Sequence, residues 1–190
     1  MNPPLSTIAD AAEVDNVIIF ISDGLRYDCL PSQIQSLGIT AKAIAPSTFT
    51  ASSLPSLLTG QYPATHGVWM FDDQLPKTPP LLSSQRHDIG FNAEEVWIEL
   101  DSEDKPPLQI HRLKTEATLD DLASPFTYVV HDVGPHAPYG FKNGVFESTK
   151  EFFNNHEKRG PKLVDLYQRD CHNSAERFVS LYDRLEQRGM

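Results

Sequence analysis

The chain has 190 residues, of which 39% are hydrophobic and 22% charged, a composition typical of a globular domain, so we expect one domain over residues 1–190. Its 16 basic and 26 acidic residues give a formal net charge of −10 and argue against a nucleic-acid partner, because affinity for a phosphate backbone needs clustered Lys and Arg. A small anionic substrate would therefore need a local positive site, such as a bound metal ion.

The elements predicted along the chain alternate between strands and helices. The first is VIIFI at 17–21, a wholly apolar run that is typical of a parallel strand buried on both faces. The last is an amphipathic helix that follows Gly160 and has Gly189 as its C-cap. This alternation predicts an α/β layer fold with a mostly parallel sheet. In chain order we expect strand 17–21, helix 27–37, strand 39–45, a helix from Ser52 or Ser53, strands 95–99 and 126–131, and the closing helix.

Cysteine content and hydropathy bear on the cellular compartment. Only Cys29 and Cys171 are present, and no CxxC pair occurs, so neither a disulfide framework nor a thiolate zinc site is indicated. The first 16 residues lack the basic and apolar regions of a signal peptide, and no run reaches the roughly 18 apolar residues of a membrane span. We therefore expect a cytoplasmic protein with no membrane partner.

Acidic and histidine side chains follow two of the predicted strands. Asp23 comes just after the first strand, and an unpaired carboxylate there would be costly unless it bound a cation. An Asp that caps the next helix, or that starts a turn with Gly24, explains the same residue equally well. Because ligands gather at the carboxyl ends of parallel strands, we expect Asp23 to approach the residues that follow strand 126–131.

Hydroxyl groups crowd the segment TFTASSLPSLLTGQYPATHGV at 48–68. A helix beginning there would direct its N–H groups and the positive end of its dipole at whatever Thr50 holds, which predicts an anion site. A hydroxyl at such a place can act as a nucleophile when a metal ion removes its proton. The commoner explanation is that these Ser and Thr residues are N-caps.

The segment HDVGPHAPYG at 131–140 brings three potential ligands to a strand end. Neutral imidazole and carboxylate, here from His131, Asp132 and His136, form a normal zinc set. The alternative is a surface turn with incidental histidines. His66, in ATHG, is weaker evidence and is open to a structural or supporting role.

Three segments together resemble the N-terminal half of the alkaline phosphatase superfamily, and most closely its sulfatase-like and nucleotide pyrophosphatase/phosphodiesterase branches. They are FISDGLRYDCL at 20–30, the segment at 48–68, and YVVHDVGPHAPYG at 128–140. The resemblance implies a three-layer α/β/α sandwich with a mostly parallel sheet. It further implies Thr50 as the nucleophile, and a divalent ion shared by Asp23 and Thr50. Zinc is the expected ion, with manganese, calcium and magnesium as alternatives.

The resemblance leaves two roles open for the 131–136 segment. His136, within PHAPY, matches a sulfatase histidine in the substrate pocket, and His131 fits a second histidine of that pattern. Asp132 and His136 can instead be the D-x-x-x-H pair that ligates another zinc in the phosphodiesterase branch. Ser53, at the expected start of the helix, is a further candidate for substrate binding.

The sequence departs from the family pattern in two places. Formylglycine-dependent sulfatases build their nucleophile from Cys or Ser in C/S-x-P-x-R, whereas this chain has Thr50-Ala51-Ser52-Ser53-Leu54, so that modification is not expected at Thr50. The remaining metal ligands of the family, an Asp-His or Asp-Asn pair, would lie after the closing helix. We therefore expect a truncated domain that covers about half of the usual length.

Three functional hypotheses follow. The leading one is a metal-dependent hydrolase of a small anionic phosphate or sulfate ester, with Thr50 attacking phosphorus or sulfur. The second is a catalytically incomplete fragment, or half of a split protein, that needs a partner chain or a second copy of itself. The third is a module that binds anions without turnover.

Overall fold

The computed structural model describes residues 14–83, 87–93, 104–114, 116–140, 148–156 and 160–189. Its strands are β1 (Asn16–Ser22), β2 (Asp88–Asn92) and β3 (Phe126–Asp132). Its α-helices are α1 (Ser32–Gln35), α2 (Thr50–Thr59), α3 (Pro63–His66), α4 (Pro106–His111), α5 (Thr149–Asn155) and α6 (Pro161–Gln187). Short 3₁₀ helices lie at Tyr27–Cys29, Pro80–Leu82 and Leu119–Asp121.

The three strands form one parallel sheet in the order β1, β3, β2. β2 and β3 are parallel, with Asp88 opposite Phe126. β1 runs the same way, because the Phe126 N–H donates to the Asp15 carbonyl at the start of the pair (3.0 Å) and the Asp23 N–H donates to the Asp132 carbonyl at its end (2.7 Å). The predicted α/β fold with a parallel sheet is confirmed.

The described residues divide into two compact units. Those up to Ile21 and from Ile44 to His131 form the first unit, and those from Ser22 to Ala43 and from Asp132 onward form the second. The chain therefore leaves the first unit at the carboxyl ends of β1 and β3. A single domain over residues 1–190 remains a prediction.

The first unit is built around apolar clusters. β3 is its central strand and is buried at six of its seven positions, as a parallel strand covered on both faces requires. β1, although wholly apolar at 17–21, is only partly buried along its length. One cluster joins strand residues to α2 and α4 and consists of Leu58, Leu81, Leu82, Phe91, Ala93, Leu108 and Val129. The other joins α2 to α4 and consists of Ala51, Val68, Leu75 and Ile110.

The second unit is organised by the long helix α6, against which α1 packs. Its buried residues are Asp170, Cys171, Ser174 and Ala175, so two of the four are polar. The predicted glycine stop is confirmed, because Gly189 lies just beyond the helix with a left-handed φ of 73°. Cys29 and Cys171 are both free thiols.

Some predicted elements differ from the structure. The helix expected over 27–37 is reduced to a 3₁₀ turn and the single turn of α1, which begins after Pro31, a residue that cannot continue a helix from before it. The strand expected over 39–45 is wrong: the segment is irregular, and Ile39 and Ile44 are 103% and 92% exposed, so its alternation buries no face. The strand expected over 95–99 lies outside the described residues.

Two further boundaries were not anticipated. α2 begins at Thr50, two residues before Ser52, and places Pro55 inside the helix. β2, the segment DIGFN, carries a glycine that strand patterns disfavour. A Cβ at Gly90 would lie 2.7 Å from a Leu122 methyl group and 2.8 Å from the Tyr128 ring, so close packing explains that glycine.

None of the helices in the described ranges has both the length and the hydropathy needed to cross a bilayer.

Candidate active site

Thr50 is the first residue of α2 and is partly buried. The helix begins there because Phe49 is extended (φ −128°, ψ 130°) and its carbonyl accepts the N–H groups of Ser52 (3.2 Å) and Ser53 (3.0 Å). The Thr50 hydroxyl therefore belongs to the positive end of the helix dipole. Thr50 lies in the first unit and Asp23 in the second, and an ion shared by the two remains a prediction.

Three of the neighbouring hydroxyls stabilise the start of α2. Ser52 Oγ contacts Ser47 Oγ at 2.7 Å and the Phe49 carbonyl at 3.1 Å, and Ser53 Oγ donates to the Ser47 carbonyl at 2.8 Å. Ser56 Oγ donates to the Ser52 carbonyl at 2.9 Å. Local bonding to the backbone thus accounts for these hydroxyls. A substrate contact by Ser53 remains a prediction.

His66 ties α3 to α2 as a neutral side chain. The Val68 N–H can only donate, so His66 Nδ1 is the acceptor (3.1 Å) and Nε2 carries the proton toward Ser56 Oγ (2.9 Å). Burial lowers the pKa of His66 and favours this neutral form. His66 therefore has a structural role, which is one of the two roles considered for it in the sequence.

Two further histidines are buried in the first unit. His111 donates from Nδ1 to the Pro107 carbonyl at 2.6 Å, and burial lowers its pKa to about 4, with His131 and His66 contributing in the same direction. His131, in β3, is 3% exposed, and its contact with a substrate remains a prediction. In the sequence no other candidate residue lies beside His111, and only the fold brings it near His66 and His131.

In the second unit the structure brings Asp23, Asp132 and His136 to the same pair of loops. The Asp23 N–H donates to the Asp132 carbonyl, and the loop after β1 lies against the loop after β3. Gly24 has a left-handed φ of 78°, and a Cβ there would lie 3.0 Å from the Pro135 carbonyl oxygen and 3.2 Å from His136 Cα. Glycine is required for this close approach.

The Asp132 carboxylate is buried and contacts Arg177 and Ser174. Its Oδ1 accepts a hydrogen bond from Arg177 Nε at 2.7 Å and lies 2.7 Å from Nη2 of the same guanidinium in an ion pair, and its Oδ2 accepts from the Ser174 hydroxyl. Because the Ser174 proton goes to Asp132, the 2.7 Å contact between Ser22 and Ser174 hydroxyls has Ser22 as its donor. A charge-assisted network therefore joins both strand ends to α6.

His136 is exposed and has a defined tautomer. Its Nδ1 lies 2.6 Å from the Ala137 carbonyl, which can only accept, so Nδ1 carries the proton. In the neutral ring Nε2 then keeps its lone pair, which can ligate a cation or take up a proton. The same geometry suits either of the two roles predicted for His136.

α6 supplies contacts that the sequence analysis did not assign. The Tyr167 hydroxyl donates to the Gly24 carbonyl (2.9 Å) and accepts the Arg26 N–H (2.9 Å), and burial raises its pKa. Asp170 accepts the Gly140 N–H at 2.6 Å. The available signal was the presence of polar residues, Asp170 and Ser174 among them, within the apolar stripe of the closing helix.

The described donor groups do not fit a metal ion at Asp132. Among the described residues, no group of three or more His, Cys, Asp or Glu side chains lies close enough together to hold an ion. The Asp132 carboxylate is already bonded to a guanidinium and a hydroxyl. Asp23 is a partly exposed carboxylate at a strand end, and its role as a ligand remains a prediction.

Comparison with known proteins relates the chain to one family and to a curated relative. Residues 17–179 match the type I phosphodiesterase / nucleotide pyrophosphatase family. The chain is also 48% identical over 189 residues to the low-salt glycan biosynthesis sulfotransferase Agl7 of Haloferax volcanii. That match covers 98% of this chain and 46% of the relative, so the chain spans less than half the length of the relative. No solved structure matches.

Proposed function

Because this chain belongs to the type I phosphodiesterase / nucleotide pyrophosphatase family of the alkaline phosphatase superfamily, we propose that it carries the nucleophile of a hydrolase for phosphate or sulfate esters. The observation that carries the proposal is the position of Thr50 as the first residue of α2, at the positive end of the helix. The substrate is a small anionic ester, and no nucleic acid or membrane is involved.

The surroundings of Thr50 support its assignment as the nucleophile. Ser53 and Ser56 donate their hydroxyl protons to backbone carbonyls, which commits them to holding the helix. His66 fixes Ser56 as a neutral donor, so it supports the helix and takes no part in proton transfer. We assign the chemistry to Thr50 because of its place at the first position of α2.

The reaction proceeds in two steps, formation of a Thr50 ester and its hydrolysis. The Thr50 Oγ forms a bond to phosphorus or sulfur while the bond to the ester oxygen breaks, and the Thr50 proton ends on the departing alcohol. Water then cleaves the Thr50 ester, which restores the hydroxyl and releases phosphate or sulfate. The N-terminus of α2 offsets negative charge on the transferred group. A divalent ion at Asp23, zinc first among the candidates, would lower the pKa of the attacking hydroxyl.

A second candidate is transfer of the same group to an alcohol instead of water. The relative that is 48% identical is named as a sulfotransferase of glycan biosynthesis. Transfer would use the same Thr50 ester and differ only in the acceptor that cleaves it. A nitrophenyl sulfate assay with and without an added sugar acceptor separates the two, because transfer needs the acceptor and hydrolysis does not.

The test of the proposal is turnover of nitrophenyl phosphate, bis-nitrophenyl phosphate and nitrophenyl sulfate. Thr50→Ala should lower kcat/KM by about 10³-fold or more, as expected for loss of a nucleophile, and Thr50→Ser should keep part of the activity. Thr59→Ala is the matched control: it removes a threonine hydroxyl at the other end of α2, where it bonds to the Pro55 carbonyl. Equal rates for wild type and Thr50→Ala contradict the assignment.

The competing proposal is a chain that is catalytically incomplete without a second polypeptide or a second copy of itself. The chain covers 46% of the length of its relative. The extreme case of this alternative is a module that binds phosphate or sulfate without turnover. Addition of the C-terminal segment of the relative in trans distinguishes the incomplete chain from the hydrolase. Turnover that appears only with that segment supports the incomplete chain, and turnover by the 190-residue chain alone excludes the incomplete chain.

A further inference from the structure

We infer that Arg177 supplies the positive charge opposite Asp132, so that Asp132 positions the strand-end loops and is not a ligand to a divalent ion. The family resemblance implies a metal ion at this residue. The described geometry instead assigns the carboxylate to an ion pair with α6. The inference concerns the second unit alone and does not depend on the reaction proposed for Thr50.

The hydrogen bonds of Asp132 leave little capacity for a cation. A carboxylate has about four acceptor sites, two on each oxygen. Oδ1 accepts from Arg177 Nε and lies 2.7 Å from Nη2 in the ion pair, and one site of Oδ2 takes the Ser174 proton. An ion bound through both carboxylate oxygens would have to displace at least one of these contacts.

Charge opposes such a displacement. The Asp132 side chain is 2% exposed, and that of Arg177 is 34% exposed. Removing one partner of a buried pair leaves the other charge uncompensated in a poorly solvated place, which is strongly destabilising. A divalent ion would also lie close to the guanidinium, and at short range in a low-dielectric site this repulsion is large.

In the loop after β3, Gly134 leaves space for the Arg177 guanidinium. A Cβ placed on Gly134 would lie 2.1 Å from Arg177 Nη2 and 3.4 Å from Asp132 Oδ2. Any side chain at position 134 would therefore push the guanidinium away from the carboxylate. This observation is independent of the hydrogen bonds and shows that the guanidinium occupies the space that the glycine leaves open.

The network fixes the backbone on both sides of Asp23. Before it, the Ser22 hydroxyl donates to Ser174, which in turn donates to Asp132. At Asp23 itself, the N–H donates to the Asp132 carbonyl, and after it Tyr167 donates to the Gly24 carbonyl. Asp132 and Arg177 are thus positioning residues for Asp23, held through α6.

The experiment combines zinc titration by calorimetry with thermal melting of the 190-residue chain. Four single variants are compared with wild type: Asp132→Asn, Arg177→Gln, Gly134→Ala and Lys162→Gln. Lys162→Gln is the matched control, because it removes one positive charge from an exposed position of the same helix. Both readouts are independent of turnover, so failure here and failure of the Thr50 proposal are distinguishable.

The expected results are specific to each variant. Arg177→Gln should lower Tm by about 10 °C, because Asp132 is left buried without its counter-ion, and zinc should raise the Tm of this variant more than that of wild type. Gly134→Ala should change both readouts in the same direction but by less, because the group that its Cβ displaces is the end of a flexible side chain. Asp132→Asn should lower Tm without changing zinc stoichiometry. Its zinc Kd should stay within about threefold of the wild-type value. Lys162→Gln should match wild type.

Two outcomes overturn the inference. One is a loss of a zinc equivalent, or at least tenfold weaker zinc binding, in Asp132→Asn while Lys162→Gln binds as wild type does. The other is a set of Arg177→Gln and Gly134→Ala proteins that melt like wild type and gain no extra stabilisation from zinc. If Asp132→Asn does not fold, the Arg177→Gln and Gly134→Ala results decide together, because both variants keep the Asp132 carboxylate.

Discussion

The start of α2 and the strand-end loops of the second unit hold their candidate residues in different ways. Around Thr50 the contacts are neutral: serine hydroxyls bond to carbonyls, and a neutral His66 bonds to Ser56, above apolar clusters. Around Asp23 the contacts are charged and reach α6 through Asp132 and Arg177. The first region therefore depends on apolar burial and on histidines staying neutral, whereas the second depends on charge pairing.

The largest effect expected is in the apolar core of the first unit. Phe91 is 1% exposed within that core, so Phe91→Ala should cost about 4 kcal/mol through lost burial and a cavity. Phe153, in the second unit, is only partly buried and makes edge contacts with Tyr139 and Phe152, so Phe153→Ala should cost less than half as much. Urea unfolding measures the loss of unfolding free energy in each variant, and equal losses would contradict the expected difference.

Acid should weaken the first region through its buried histidines. The pKa of His111 is about 4 in the folded protein against 6.5 unfolded, so the unfolded chain binds more protons between these values. Stability is therefore fully present above pH 6.5 and falls as the pH drops toward 4, by on the order of 3 kcal/mol. His111→Leu should flatten this slope in urea midpoints measured from pH 7 to 4. An unchanged slope would remove His111 as its source.

A helix cap offers a smaller effect in the second unit. Ser148 Oγ accepts the Glu151 N–H, and the Glu151 carboxylate accepts from the Ser148 backbone, which forms a capping box at the start of α5. Ser148→Ala should cost about 1 kcal/mol, and Ser148→Asp should cost less because Asp also caps. The check is the denaturation midpoint of each variant, and identical midpoints for Ala and Asp would show that the cap contributes nothing.

The smallest effect concerns an exposed ion pair that contrasts with Asp132 and Arg177. Arg26 Nη2 lies 2.6 Å from Asp28 Oδ2, and both side chains are more than 60% exposed. The arginine lowers the pKa of Asp28, but water screens the pair, so Asp28→Asn should leave the unfolding midpoint unchanged within error. A shift as large as that of Arg177→Gln would show that burial is not what distinguishes the two pairs.

Sequence patterns were sufficient where the structure depends on local apolar periodicity. β1 and β3 follow the apolar runs at 17–21 and 126–131, and α6 follows the repeat after Gly160. The short strand β2 was missed because its glycine disfavours a strand by itself and is explained only by packing against Leu122 and Tyr128. The weak alternation at 39–45 predicted a strand that the structure does not have.

The candidate residues were predictable in type, but their partners were not. Asp23, Asp132 and His136 follow strands, and the parallel sheet brings their loops together, as the topology implied. Arg177 and Ser174 could not be assigned, because they lie 45 and 42 residues from Asp132 along the chain. No local pattern indicates a contact at such a separation. Only the polar residues in the apolar stripe of α6 gave a hint of it.

The most direct test of the central claim is to trap the Thr50 ester. The chain, with the C-terminal segment of its relative if turnover needs it, is mixed with a nitrophenyl phosphate or sulfate, quenched in acid, digested and analysed by mass spectrometry. We expect one phosphoryl or sulfuryl group on Thr50 in wild type and none at that position in Thr50→Ala. A group found on another residue, or turnover in wild type with Thr50 unmodified at every quench time, would contradict Thr50 as the nucleophile.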